Sequence, residues 1–261
     1  MKTRLLSLLL AYPALLASSF ADIKSKAVLY SDGATTLEGF VAYDDTIIER
    51  RPGILLIHDW TGLQEYTQTR AKQIAADLGY VAFAADIYGK GVRPNDPKDC
   101  AVQAGTYKKD LPLLRRRVLL GLDELKKQQG VDASRLAAIG YCFGGTSVLE
   151  LARSGANVAG VVSFHGGLST TIPAKAGAVK AQVLVLHGAD DPFVKPDEVA
   201  AFKEEMKAAG VQMNFVAYPG AVHSFTKPAA GNDPSKGAAY HEKADKESWA
   251  AMKKFFAKIF Q

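Results

Sequence analysis

Cysteine is scarce: the 261 residues hold only two, Cys100 and Cys142. That number excludes a disulfide-built scaffold, and the chain has neither a C-x-x-C nor an H-x-x-x-H pair to suggest a zinc site. One disulfide between Cys100 and Cys142 is the only pairing open, and it is disfavoured because Cys142 has a better explanation below. Internal repeats and low-complexity linkers are absent. So are runs of like charge, apart from Arg115–Arg117, whose side chains point in different directions on a helix and read as a solvated face. The formal net charge is +5; without Lys2 and Arg4, 30 basic residues face 27 acidic ones. Nucleic-acid binding has little support in so scattered a charge.

Long apolar runs are missing too, with one exception at the start. Lys2 and Arg4 precede "LLSLLLAYPALLASSFA", which Pro13 interrupts and small residues close. The run is short for a membrane span, which needs ~20 residues, and it reads as a secretory leader cut after Ala21. No cysteine lies near that point to carry a lipid. An exported chain, periplasmic or secreted, with no stable membrane association once the leader is removed, is the expectation.

What is present is an ordinary globular composition, 48% apolar and 23% charged, long enough for one large core. Short apolar runs recur: Gly53–His58, Val81–Asp86, Leu136–Tyr141, Val158–His165, Val183–Gly188 and Met213–Tyr218. They suit strands buried on both faces. Amphipathic stretches separate them, two ending at Gly130 and Gly210 as helix stops. This alternation predicts an α/β fold with a mostly parallel central sheet flanked by helices. Upstream, "DGATT" between two strand-like runs predicts an antiparallel hairpin. Trp249, Met252, Phe255, Phe256, Ile259 and Phe260 predict a last helix packed on the sheet. The segment Tyr88–Asp110 reads as the longest irregular stretch, overhanging the ligand side of the sheet.

The stretch "GYCFGG" carries the chemistry. It fits the nucleophile-elbow pattern G-x-Nuc-x-G with Cys142 as the nucleophile. The nucleophile needs a strained strand-to-helix turn in which side chains at Gly140 and Gly144 would clash. The helix after it aims N–H groups at the sulfur and favours thiolate, and the Phe143 N–H is placed to hold an oxyanion. A later strand end, "HGADDPFV", offers Asp190 and Asp191; another, "YPGAVHSF", offers His223. Nucleophile, acid and histidine thus follow in the order this architecture requires. Taken singly, Cys142 reads as a small buried hydrophobe, the aspartates as loop caps and His223 as a turn residue. His165 and His187 read as packing, and His241 as solvated.

With these motifs the chain resembles the dienelactone hydrolase family of α/β-hydrolases, from about Lys24 to the C-terminus. The elbow matches that family's cysteine elbow, "HSF" its histidine segment, and "HGADDPFV" its acid loop, which selects Asp191 over Asp190. The resemblance implies a single-domain hydrolase of carboxylic esters or lactones with no cofactor, acting on a small molecule, and expected to be a monomer. It implies that the Trp60 N–H is a second oxyanion donor. It also implies that Asp59, where the family typically has glutamate, contacts the resting thiol and helps switch it on. Lys227 stands where the family has a substrate-binding arginine, and Arg93 is the candidate for the other. A non-catalytic or redox-regulated exported binding protein on the same fold is the alternative.

Overall fold

The computed structural model describes residues 23–261, so the expected leader, residues 1–21, lies outside the described residues. The chain opens with the hairpin: β1 (Ile23–Asp32) and β2 (Thr35–Asp44) are antiparallel, and Gly33 takes a positive φ of 57° in the two-residue turn. Six strands follow, β3 (Arg51–Ile57), β4 (Val81–Ala85), β5 (Val131–Tyr141), β6 (Gly160–Phe164), β7 (Gln182–Gly188) and β8 (Met213–Tyr218). They form one eight-stranded sheet in the order β1-β2-β4-β3-β5-β6-β7-β8. β2 pairs antiparallel with β4, and every pair from β4 onward is parallel.

The near-continuous apolar runs are explained by two cores. Alternate residues of a strand point to opposite faces. Leu55 and Ile57 therefore join one core while Ile54 and Leu56 join the other. On the first face lie α2 (Pro97–Lys109), α3 (Leu111–Lys127), α4 (Phe143–Arg153) and α5 (Pro196–Ala208), contributing Tyr107, Leu114, Val148 and Phe202 among others. On the second lie α1 (Glu65–Leu78) and α6 (Glu242–Ile259), contributing Ile74, Trp249, Met252 and Phe256. The last helix packs on the sheet as its apolar face requires. Among the described residues no helix is long and apolar enough to cross a membrane.

Three expectations need correction. Tyr88–Asp110 is not irregular throughout, because Pro97–Lys109 is helical. Asp96 caps that helix, accepting from the Lys98 and Asp99 N–H groups, and Pro97 occupies its first turn. Arg115–Arg117 is a solvated face only at Arg116. Arg115 pairs with Glu150, while Arg116 and Arg117 both pair with Asp32 on β1, Arg117 from a buried position. Nor is His241 simply solvated: its Nδ1 accepts the Ala244 N–H and caps α6. Both cysteines are free thiols, Cys100 buried and Cys142 half-buried.

Buried charges hold the layers together. Arg153, whose side chain has no exposure, donates to Glu150 at 2.9 Å and to Glu205 at 2.7 and 2.9 Å, and to the Leu168 carbonyl. Glu150 also receives Arg115. The cluster ties α3, α4 and α5 to the loop after β6, and each buried charge in it has a partner.

Candidate active site

The turn between β5 and α4 is made by what its residues lack. A Cβ on Gly140 would lie 2.1 Å from the Gly144 carbonyl oxygen, and one on Gly144 would lie 2.1 Å from the Ile57 oxygen. Helix α4 thus starts in contact with the backbone of β3, an approach only glycine allows. Between them Cys142 sits at φ 55°, ψ −113°, a conformation costing ~1–3 kcal/mol for a non-glycine residue. Its N–H donates to the Phe164 oxygen at 3.0 Å and its carbonyl accepts the Thr146 N–H, so both neighbours hold the strained unit. Phe143 opens the helix, where an amide has no intrahelical acceptor.

Asp191 lies three residues beyond the end of β7, and His223 five beyond β8. These loops meet at the elbow. His223 Nδ1 is 2.8 Å from Asp191 Oδ2, and its Nε2 is 3.0 Å from Cys142 Sγ. Asp191 Oδ1 accepts the Phe193 N–H at 2.9 Å, which fixes the carboxylate. The neighbouring Asp190 turns away to accept the Gly220 N–H. Burial opposes charge on the Cys142 thiol, yet the His223 charge and hydrogen bond outweigh it, with help from Lys108 and against Asp59, so its pKa falls below the usual thiol value. Burial likewise opposes charge on His223. The Cys142 thiolate and the Asp191 hydrogen bond overcome it and push the imidazole up to about 10. Both shifts run toward a thiolate–imidazolium pair.

The loop after β3 supplies the facing wall. Asp59 Oδ1 accepts the Thr61 N–H and hydroxyl at 2.8 and 2.5 Å, and Oδ2 accepts Lys227 Nζ at 2.6 Å. The Asp59 carboxylate spends its hydrogen bonds on Thr61 and Lys227, while the Cys142 Sγ hydrogen bond is to His223, so Asp59 acts on the thiol through charge, against the thiolate. Arg93 does not line the cavity around Cys142. Its guanidinium holds the Leu63, Gly89 and Val92 carbonyls, bracing the loop after β3 from outside. Lys227 also lies outside the lining residues, held by Asp59 and over the Tyr66 ring. Trp60 does line the cavity, together with Lys108, Gly167, Phe193, Val194 and His223.

Residues outside the predicted triad complete the surroundings, among them His165, read from the sequence as packing. His58 Nδ1 is 2.7 Å from the Asp59 carbonyl and its Nε2 accepts the Ile87 N–H, so a buried neutral imidazole fixes the start of the Trp60 loop. Behind His223, His165 stands edge-on at 5.2 Å between ring centres and bonds the Thr226 hydroxyl. Thr226 in turn meets Tyr66, and its carbonyl takes a bond from Arg70, which is paired with Asp245. Strand-end position could have flagged His58 in sequence; nothing there could have flagged Thr226.

The cavity has a volume of about 410 Å³, within the usual range for a small-molecule site. A larger one of about 730 Å³ lies between β7, β8 and α6, but it presents no cysteine, histidine or carboxylate side chain. The chemistry lies in the smaller.

A model of the dienelactone hydrolase family matches residues 37–260, a span that takes in Cys142, Asp191 and His223. The chain belongs to the dienelactone hydrolase family. This family member is similar to the solved structure m3DLH, with 38% identity, a TM-score of 0.86 and coverage of 92% of this chain and 99% of that one. It is equally similar, at 38% identity, to a dienelactone hydrolase-like promiscuous phosphotriesterase from metagenomic libraries, with a TM-score of 0.84 and coverage of 91% and 98%. A Salmonella typhimurium protein provisionally named carboxymethylenebutenolidase is 27% identical over 217 residues, 79% of this chain and 77% of that one.

Proposed function

We propose that the protein hydrolyses carboxylic esters or lactones of small molecules with Cys142 as the nucleophile. The observation that carries the reading is His223 bridging Cys142 Sγ at 3.0 Å and Asp191 Oδ2 at 2.8 Å. The thiolate attacks the carbonyl carbon and a C–S bond forms. The imidazolium Nε2 gives its proton to the leaving oxygen as the C–O bond breaks. Neutral His223 then takes a proton from water, the hydroxide attacks the thioester, and Cys142 leaves as thiolate. Asp191 holds the tautomer and stabilises the charged ring throughout. The Phe143 and Trp60 N–H groups receive the oxyanion, where losing one donor typically costs ~3 kcal/mol. Asp59, Lys227 and Arg93 act through loop geometry and charge, Lys227 as the partner that neutralises Asp59. Export stays part of this reading and rests on the leader-like start.

The test is turnover of p-nitrophenyl acetate, p-nitrophenyl butyrate and a dienelactone by wild type and Cys142→Ala. Hydrolysis lost in the variant supports the reading. Equal rates in both sink it and leave the binding-protein alternative. The 38% identity to a promiscuous phosphotriesterase favours a second reading, phosphotriester cleavage at the same sulfur, which a phosphotriester in the panel tests.

A further inference from the structure

Exposed aromatic side chains are rare among the described residues. Among the described residues only Trp60 and Phe193 are large aromatics open to solvent, 37% and 61% exposed, and both line the cavity of Cys142. Scattered exposed apolar residues need no explanation, but a pair converging on one cavity is a different matter.

Phe193 is held in place. Its N–H donates to Asp191 Oδ1, its ring stands edge-on to His223 at 5.4 Å and 88°, and a Cβ on Gly237 would come within 3.2 Å of that ring. Gly237 itself is fixed, because its carbonyl accepts the His223 N–H at 3.1 Å. The ring is therefore a preformed wall, presented beside the imidazole that delivers a proton to the leaving group. Trp60 is the other wall. Its carbonyl is bound by the Tyr88 hydroxyl at 3.2 Å, and the loop that carries it is set by His58. Among the described residues no segment covers either ring.

We propose that Phe193 and Trp60 form an aromatic clasp that selects substrates with a flat apolar group, an aryl ring above all, on the leaving-group side of the scissile bond. The proposal deepens the hydrolase reading and rests on it for the direction of attack. Desolvation of two aromatic faces is the driving force, and ring-on-ring contact adds to it. The clasp makes Phe193 a specificity-determining residue.

Two measurements on the full mature chain test it. The first compares kcat/KM for phenyl acetate and hexafluoroisopropyl acetate, whose leaving alcohols have similar acidity, in wild type, Phe193→Ala and Phe193→Leu. The second compares alkylation of Cys142 by 2-iodo-N-phenylacetamide and by iodoacetamide; in both, sulfur displaces iodide and an S–C bond forms. The aryl-to-non-aryl ratio is expected to fall ~10-fold in Phe193→Ala, carried by KM in the ester assay, and by an intermediate amount in Phe193→Leu. The ester ratio decides if wild type turns the esters over; otherwise the alkylation ratio decides. An unchanged ratio overturns the clasp while hydrolysis lost in Cys142→Ala leaves the hydrolase reading standing. A ratio that falls in alkylation alone, with no ester turned over by wild type, keeps the two rings as an aryl site beside Cys142 and overturns its assignment to the leaving-group side.

Discussion

Lys227 reaches across 168 residues of sequence to place its ammonium 2.6 Å from Asp59, and so the carboxylate beside the catalytic cavity carries its own counter-ion. The pair lies off the path from Cys142 to His223, and the thiol is already aimed at the imidazole. The hydrogen bond to His223, which favours the thiolate, is made while Asp59 is engaged with Lys227.

The charges around the sulfur give a signed pH prediction. A carboxylate disfavours a nearby thiolate and a cation favours it. Alkylation of Cys142 by iodoacetamide should reach its plateau below the pH at which a free thiol does. Asp59→Asn should move the profile to lower pH, and Lys108→Gln to higher pH. Opposite shifts, or none, in rates measured from pH 4 to 10 would remove this electrostatic account.

The proposed mechanism requires Cys142 ionised and His223 protonated. The acid limb of kcat/KM should follow the lowered thiol, and the alkaline limb should fall near the raised imidazole value of about 10. The two limbs belong to the coupled pair rather than to either residue alone. Asp191→Asn removes the hydrogen bond that helps raise His223, so the alkaline limb should move to lower pH. The variant's kcat should drop by at least ~100-fold with little change in KM.

A standing thiolate is also open to oxidation. Peroxide should abolish turnover, with activity returning on thiol reductant while Cys142 is no further oxidised than sulfenate or a disulfide. Mass spectrometry of the inactivated protein should place the added oxygen on Cys142, and not on Cys100, which is buried and whose thiol burial pushes up. Oxygen confined to Cys100 would contradict the assignment of the reactive thiol.

Stability should be most sensitive where backbones touch and where charge is buried. Gly144→Ala forces a Cβ against the Ile57 carbonyl, so a loss of ~3 kcal/mol is expected, lowering Tm by roughly 6–12 °C for a chain of this size. Arg153→Met leaves Glu150 and Glu205 short of a partner in the interior, a loss of ~3–5 kcal/mol. Thermal unfolding followed by circular dichroism checks both, and a Tm within 2 °C of wild type for either would refute its share of the argument.

Much of this was legible in sequence because the signals were local. Six apolar runs marked β3 to β8, and the glycines around Cys142 announced a turn that only they allow. The hidden parts depend on what the chain brings together from afar. Asp96-Pro97 is a helix-start pattern, but the weak apolar pattern after it made Tyr88–Asp110 read as irregular. Arg115–Arg117 looked solvated because Asp32 and Glu150, their partners, lie far away in the chain. Lys108 and Phe193 became visible only when α2 and the acid loop closed on one cavity. Lys227 and Arg93 sat in the expected segments, yet local hydrogen bonding decided where their charges went.

The contact between Gly140 and Gly144 has a consequence for how the protein comes apart. The nucleophile is clamped between the backbones of β3, β6 and α4, at the middle of the sheet rather than on a loop that can open alone. No partial opening can release Cys142 without parting central strands. Release of the Cys142 turn and global unfolding should therefore share one midpoint in denaturant, while activity, which also needs the Asp191 and His223 loops, can be lost at a lower one.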